Sequence, residues 1–338
     1  MWWGRRALLQ PQVQARLPLL LGVVGVFLFL GLITAVTDRP YASNAELGLH
    51  PYKAIGTRSL RVLVGMTVGG SCMYRVDTLI KRWGTEHFHY MLFHFDKADW
   101  GDLAYNNRPT NAVKHYRYQF GLKMTHYKRH ITPKVMQDYD YFFLIDCDTD
   151  LEHFDVDAYL KIVNRFNIPI SQPAVARSSL LRRSSDHRTC RHVPGPHFGR
   201  WTSFVENGPV AVFSRTAWDC VYDLVQGDLG SGWGIDYKWC AYAADRCRLG
   251  YRERHERAGG NWGRVCAVID AQQVYHLDER SASELFGARY QPRQDAYEFE
   301  RRFPMIQSTR NANCMCACDD RDTVMTALRT VLLQVGLA

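Results

Sequence analysis

The 338-residue sequence predicts an α/β fold: a mostly parallel sheet covered by helices on both faces, preceded by one transmembrane helix. Three observations predict it. Residues 17–36 carry no charged side chain and consist largely of Leu, Val, Phe and Gly. From residue 59 onward, short apolar β-branched runs alternate with segments of helical spacing, the pattern of a parallel sheet with crossover helices. Tyr141-Phe142-Phe143-Leu144-Ile145 is apolar without interruption, as a strand buried on both faces must be.

Residues 1–16 form a short tail with Arg5, Arg6 and Arg16. About 20 apolar residues rising 1.5 Å each span a hydrocarbon core of about 30 Å, so 17–36 fits a membrane anchor. It exceeds the roughly 7–15 apolar residues of a cleaved signal peptide. The basic flank lies upstream, with only Asp38 and Arg39 downstream, which predicts a type II orientation with the rest of the chain translocated. Residues 37–58, polar and turn-rich, read as a stem. All ten cysteines follow the anchor, from Cys72 to Cys318, and an oxidising lumen would pair several of them. A Golgi membrane is expected ahead of the endoplasmic reticulum, although span length sorts membranes only loosely. The net charge of +8 suits anionic ligands. No long basic run or nucleic-acid motif accompanies it, so no nucleic-acid partner is expected.

Residues 59–290 read as the main domain. Strands are predicted at 60–66, 89–95, 141–145, 168–175, 204–213 and within 265–276. Helices are predicted at 75–83, 120–136 with a break at Pro133, 157–166 and 216–225. Residues 177–200, basic and rich in Ser, Gly and Pro, read as a loop. Residues 291–338 read as an extension carrying Cys314, Cys316 and Cys318 and a final amphipathic helix from 321.

Strand 141–145 runs into Asp146-Cys147-Asp148-Thr149-Asp150, placing carboxylates at the carboxyl end of a central strand, where open α/β sheets bind ligands. Clustered carboxylates repel unless a cation neutralises them, and Mn²⁺ or Mg²⁺ takes oxygen ligands while leaving positions for phosphate. Asp-x-Asp is a weak pattern and recurs here at 138/140, 155/157 and 320/322. Asp155 and Asp157 read as caps of the next helix. Position makes Asp146 and Asp148 the metal candidates. In Gly232-Trp233-Gly234-Ile235-Asp236 the glycines permit a tight path, Trp233 offers a flat face to a sugar, and Asp236 is a candidate general base. A turn leading into a capped helix fits the same residues. Asn207-Gly208-Pro209 shapes an acceptor side or forms a bulge. His276 could be a third metal ligand, although a lone histidine is more often structural.

These three constellations, in this order, resemble glycosyltransferases of the GT-A fold. The resemblance implies Asp146, Asp148 and His276 as metal ligands and Asp236, on the Gly232–Asp236 loop, as catalytic base; Trp233, Gly234 and Asn207 remain the candidates for the acceptor side. It differs where the usual Glu-Asp pair is Ile235-Asp236. A second resemblance covers about 88–290. Met91-Leu92-Phe93-His94-Phe95-Asp96, Tyr139-Asp140-Tyr141-Phe142-Phe143-Leu144, Ile170-Ser171-Gln172-Pro173-Ala174 and Phe213-Ser214-Arg215-Thr216-Ala217-Trp218 are similar to a largely plant and algal family, domain of unknown function 707, labelled as related to lysine-ketoglutarate reductase trans-splicing.

The combined expectation is a metal-dependent, inverting glycosyltransferase with Mn²⁺ or Mg²⁺ as cofactor. Its donor, a nucleotide-diphosphate sugar, would lie near Gly65, Gly69, Asp96 and Asp146. Its acceptor would be a glycan, protein or small molecule. The rival expectation is a non-catalytic, membrane-tethered carbohydrate-binding or scaffold protein on the same fold, in which the carboxylates bind metal weakly. A two-metal phosphodiesterase would need more converging His and Asp ligands than the sequence offers.

Overall fold

Alternate residues of the first strand pack against opposite layers, and the rest of the domain is built on that division. In the computed structural model, β1 (Val62–Val68) turns Val62, Val64, Met66 and Val68 into one hydrophobic core and Leu63 into another. β4 (Tyr141–Asp146) splits likewise, with Tyr141, Phe143 and Ile145 on the first face and Phe142 and Leu144 on the second. A strand covered on both faces has no polar side, which explains the unbroken apolar run in its sequence. The structure describes residues 59–101, 111–117, 121–176, 198–250, 264–277 and 291–304. The anchor expected at 17–36, the stem, most of the 177–200 loop, the three-cysteine cluster and the final helix lie outside these residues. Among the described residues no helix is long and apolar enough to cross a membrane.

The first face is covered by α1 (Met73–Trp83) and α4 (Val156–Arg165). Asp155 caps α4 by accepting a hydrogen bond from the Ala158 amide at 2.9 Å, and Asp157 sits in its first turn, as the sequence suggested. The second face takes α2 (Lys123–His130), the short α3 (Pro133–Met136), α5 (Arg215–Val221), α6 (Trp239–Asp245) and α7 (Pro292–Arg302). Pro133 opens α3 after the break, its missing N–H costing nothing at a first helical position. α7 belongs to the segment read as an extension, yet its Phe299 is buried in the second core.

Among the described residues the strand order is β3 (Val113–Tyr116), β2 (Phe88–His94), β1, β4, β8 (Val210–Ser214), β6 (Ile170–Val175), β9 (Cys266–His276) and β5 (Thr149–Asp150), with β7 (Arg200–Thr202) on β9. β2, β3, β1 and β4 run parallel, and β6 runs parallel to β9. β8 runs antiparallel to both β4 and β6. The sheet is therefore mixed, which corrects the mostly parallel expectation. The apolar run Val210-Ala211-Val212-Phe213 reads the same in either direction, so hydrophobicity could not reveal its sense. The strand expected at 204–213 begins only at Val210. The six residues before it form a loop, with a cis Gly208–Pro209 bond, held by side-chain contacts described next.

Candidate active site

After β4 the chain turns through Cys147 and Asp148 and returns as β5 (Thr149–Asp150), antiparallel to the end of β9. Thr149 lies opposite His276, and the Leu277 amide donates to the Asp148 carbonyl at 3.0 Å. That pairing sets His276 Nε2 at 3.3 Å from Asp148 Oδ1. Burial on its own would raise the Asp148 carboxyl, but the hydrogen bond and charge of His276 outweigh it and hold the group below the usual carboxylate range. Asp150, the remaining acid of the run, accepts the Glu152 amide at 2.8 Å and shapes the local turn. Cys147, between the aspartates, forms a disulfide with Cys72, which fastens this turn to the loop following β1.

Asp146 faces a different partner. The ammonium of Lys123, at the start of α2, donates to Asp146 Oδ1 at 2.8 Å and Oδ2 at 3.1 Å, and to the Asn207 carbonyl at 2.6 Å. The backbone of the 206–209 loop closes over the same carboxylate. Pro209 O accepts from the Asp146 amide at 2.9 Å and from Thr149 Oγ1 at 3.2 Å. A Cβ at Gly208 would collide with Asp146 Oδ2, so glycine is required there by close approach.

The tryptophan loop joins this cluster through Asn207, whose Nδ2 donates to the Gly232 carbonyl at 2.7 Å. Gly232 and Gly234 have φ of 71° and 98°, the left-handed conformation that glycine adopts without a side-chain clash. α7 braces the loop from behind, with Asp295 Oδ2 accepting from Ser231 Oγ at 2.6 Å and from the Ser231 amide at 3.1 Å. Trp233 projects outward with 45% of its surface exposed, among the few large apolar side chains so placed.

Asp236 follows in a 3₁₀ turn, Ile235–Tyr237. The residue keeps some surface, but its Oδ1 is closed off from solvent and has no hydrogen-bond partner. Burial, then the charge of Glu206, push its carboxyl up to about 7, while backbone hydrogen bonds and the charge of Lys123 offset part of the rise. Glu206 is buried, and its amide is fixed by Gln172 Oε1 at 2.7 Å. The sequence supplies one acid in the Ile235-Asp236 pair, and the fold brings a second from a loop thirty residues upstream. Glu206 and Lys123 were not singled out from the sequence. Their only available signal was adjacency, Glu206 beside Asn207 and Lys123 at a helix start, and neither pattern is distinctive.

The donor-side candidates divide. The Asp96 carboxylate accepts the Gly70 amide at 2.7 Å and the Ala98 amide at 3.1 Å, and a Cβ on Gly69 would strike the Phe95 ring and Asp96. Asp96, just after β2, thus packs on the Gly69–Gly70 loop that the Cys72–Cys147 disulfide ties to the aspartate turn. Gly65 lies within β1, where a Cβ would stand 2.9 Å from Ile131 and Phe142 side-chain atoms. Its smallness serves the packing of α2 on the sheet and does not bring it to the site.

The donor chemistry of Asp146, Asp148 and His276 suits a divalent ion, but their arrangement does not fit one held by all three. Asp148 and His276 face each other, while both oxygens of Asp146 are taken by Lys123. Among the described residues no three His, Cys, Asp or Glu side chains gather as a metal site.

The model of one family, described as protein of unknown function DUF707, matches residues 42–302, more than three quarters of the chain. The chain belongs to the DUF707 family. The match takes in every candidate site residue and also α7, which braces the tryptophan loop of this DUF707 protein. No curated protein matches it. Similar solved structures include S. aureus TarS 1–349 in complex with UDP-GlcNAc, with 11% identity, a TM-score of 0.44, and 72% of this chain against 65% of that one. Another is the mannosyltransferase PcManGT from Pyrobaculum calidifontis in complex with GDP-Man and Mn²⁺, with 13% identity, a TM-score of 0.34, and 72% of this chain against 64% of that one. The chain thus spans slightly less than two thirds of either structure's length.

Proposed function

We propose that this protein is a glycosyltransferase that moves a sugar from a nucleotide-diphosphate donor to a hydroxyl of a glycan, protein or small-molecule acceptor, with inversion at the anomeric carbon. The observation that carries the reading is Asp236: a carboxyl with one enclosed, unpartnered oxygen, pushed up to about 7, on a loop linked through Asn207 and Lys123 to Asp146 at the end of β4. A general base works best when its pKa lies near the working pH. Asp236 takes the acceptor hydroxyl proton, the acceptor oxygen bonds to the anomeric carbon, and the carbon–oxygen bond to the diphosphate breaks with its electron pair on the leaving group. Trp233 offers its exposed face to a sugar ring on the acceptor side, next to Gly234 and Asn207. The nucleoside lies toward Gly69 and Asp96, with its diphosphate reaching the 146–148 turn. No step is assigned to Mn²⁺ or Mg²⁺, because Asp146 is already neutralised.

The protein works on the luminal side of a secretory-pathway membrane, in the Golgi, anchored as a single-pass type II protein through residues 17–36. The pairing of all six cysteines among the described residues supports an oxidising compartment.

The test is a donor screen. The full chain, incubated with uridine- and guanosine-diphosphate sugars with and without Mn²⁺, releases the free diphosphate from at least one donor. Asp236→Asn cuts that turnover by roughly 10²–10⁴-fold with diphosphate binding retained. A folded wild-type chain that turns over no donor, or an Asn variant as active as wild type, sinks the reading.

A further inference from the structure

The acid cluster contains its own cation, and it is a side chain. Lys123 stands only 15% exposed, with its three ammonium contacts going to both oxygens of Asp146 and to the Asn207 carbonyl. Through the Asn207 carbonyl it also reaches the loop whose side chain bonds Gly232. One positive charge therefore joins the strand end to the tryptophan loop. The cluster is fixed on every side. Asp146 is held by Pro209 through its amide, the Asn207 side chain is held by Gly232, and Gly208 has no room for a Cβ against the carboxylate. Lys123 is anchored in turn by its helix, whose Tyr127 hydroxyl bonds the Gly65 carbonyl of β1 at 3.1 Å and whose Met124 amide bonds the Gly230 carbonyl at 3.1 Å.

We infer that Lys123 is the resident cation of this site: it neutralises Asp146 and binds the diphosphate of a nucleotide ligand, so that no divalent ion is needed on Asp146. The inference rests on the nucleotide-sugar reading above and adds to it the group that meets the phosphates. An ammonium is a compact point charge whose three donors reorient freely, and it binds phosphate in that manner without demanding a fixed coordination shell. The hydrogen bond to the Asn207 carbonyl is the one a phosphate oxygen replaces, because Asp146 remains as the counter-charge that keeps the ammonium in place. The geometry also explains why the Asp146, Asp148 and His276 triad does not gather. With a lysine on Asp146 the carboxylate repulsion is already relieved, and Asp148 is left to pair with His276.

Calorimetric titration of the full chain with uridine diphosphate and guanosine diphosphate tests the inference, each run in EDTA and again with Mn²⁺. Wild type is expected to bind one of them in EDTA, with Mn²⁺ changing the Kd by no more than about threefold. Lys123→Met should weaken binding in EDTA by roughly 10–100-fold, the scale of one charge-assisted hydrogen bond. Lys123→Arg, which keeps the charge, should stay close to wild type. Circular dichroism establishes that each variant is folded, and if Lys123→Met is not, Lys123→Gln takes its place. Wild-type binding that requires Mn²⁺ overturns the resident-cation inference and leaves the nucleotide-sugar reading standing. A folded Met or Gln variant that binds like wild type in EDTA overturns it as well. So does a loss that Lys123→Arg shares, since the residue would then supply shape and not charge. Absence of binding to either diphosphate under both conditions overturns the inference together with the reading beneath it.

Discussion

At Asp236 the local environment and the proposed chemistry make the same demand. A carboxyl with one oxygen unpartnered and closed off from water, near a second acid, holds its proton to higher pH than an exposed aspartate. Two measurable consequences follow, with opposite signs. As a base it must be deprotonated, so kcat/KM should rise about tenfold per pH unit below 7 and flatten above. For stability, the folded state keeps the proton from the ordinary value of 3.8 up to about 7, whereas the unfolded chain loses it at the lower figure. The contribution is therefore complete below 3.8 and is lost as pH rises to about 7. The Tm of Asp236→Asn minus that of wild type should accordingly grow between pH 4 and 7 and then stay constant. A rate profile with its acidic limb near 4, or a Tm difference that ignores pH, would place the carboxyl in water and remove it as the base.

Among the elements, the sequence was most legible where burial imposes a period. β1, β2, β4, α1 and α4 lie within two residues of their expected bounds, because strands covered on both faces and amphipathic helices each leave a pattern in the apolar positions. β8 kept its apolar run but hid its direction, and residues 204–209 looked like strand because Phe204 and Val205 are apolar, although Pro209 cannot donate to a ladder. The candidate site was half legible for a related reason. Asp146, Asp148 and Asp236 stand at element ends that the pattern marks, whereas Lys123 and Glu206 arrive from segments distant in sequence whose meeting depends on the mixed topology. The Cys72–Cys147 disulfide belongs to that second class. It links the loop after β1 to the aspartate turn across 75 residues of chain, so it should hold that loop and the 146–148 turn in a common register. Replacing both cysteines by alanine is expected to cost about 2–5 kcal/mol in denaturant unfolding. It should also weaken nucleoside diphosphate binding more than Cys220→Ala/Cys247→Ala, whose bond ties α5 to the end of α6 on the second face. Equal binding by the two double variants would confine the Cys72–Cys147 bond to stability.

At the scale of the molecule, the three disulfides among the described residues distribute support unevenly. One crosses the sheet end at the aspartates, and the other two secure α6, to α5 through Cys220–Cys247 and to β9 through Cys240–Cys266. α6 follows directly on the Asp236 turn, and α7 packs beside that turn, with Phe299 against Gly234 and Glu300 paired to the buried Lys238 at 2.9 Å. The tryptophan loop is therefore held from two sides, by crosslinked α6 and by α7, while β1, β2 and β3 carry no crosslink among the described residues except at the Cys72 end. Reduction should then act first on the Asp236 side. In the full chain, the six cysteines at 72, 147, 220, 240, 247 and 266 are expected to resist maleimide until a reductant is added. Reductant should lower the Tm by roughly ten degrees or more, since each bond contributes roughly 2–4 kcal/mol and each kcal/mol is worth about 2–4 °C in a domain of this size. Hydrogen exchange followed during reduction should quicken in α6 and at 231–237 before it quickens in β1 and β2. Labelling of these cysteines in the folded, unreduced chain would contradict the pairing. A reduced chain as stable as the oxidised one would also remove the support that the crosslinks lend to an oxidising, luminal setting.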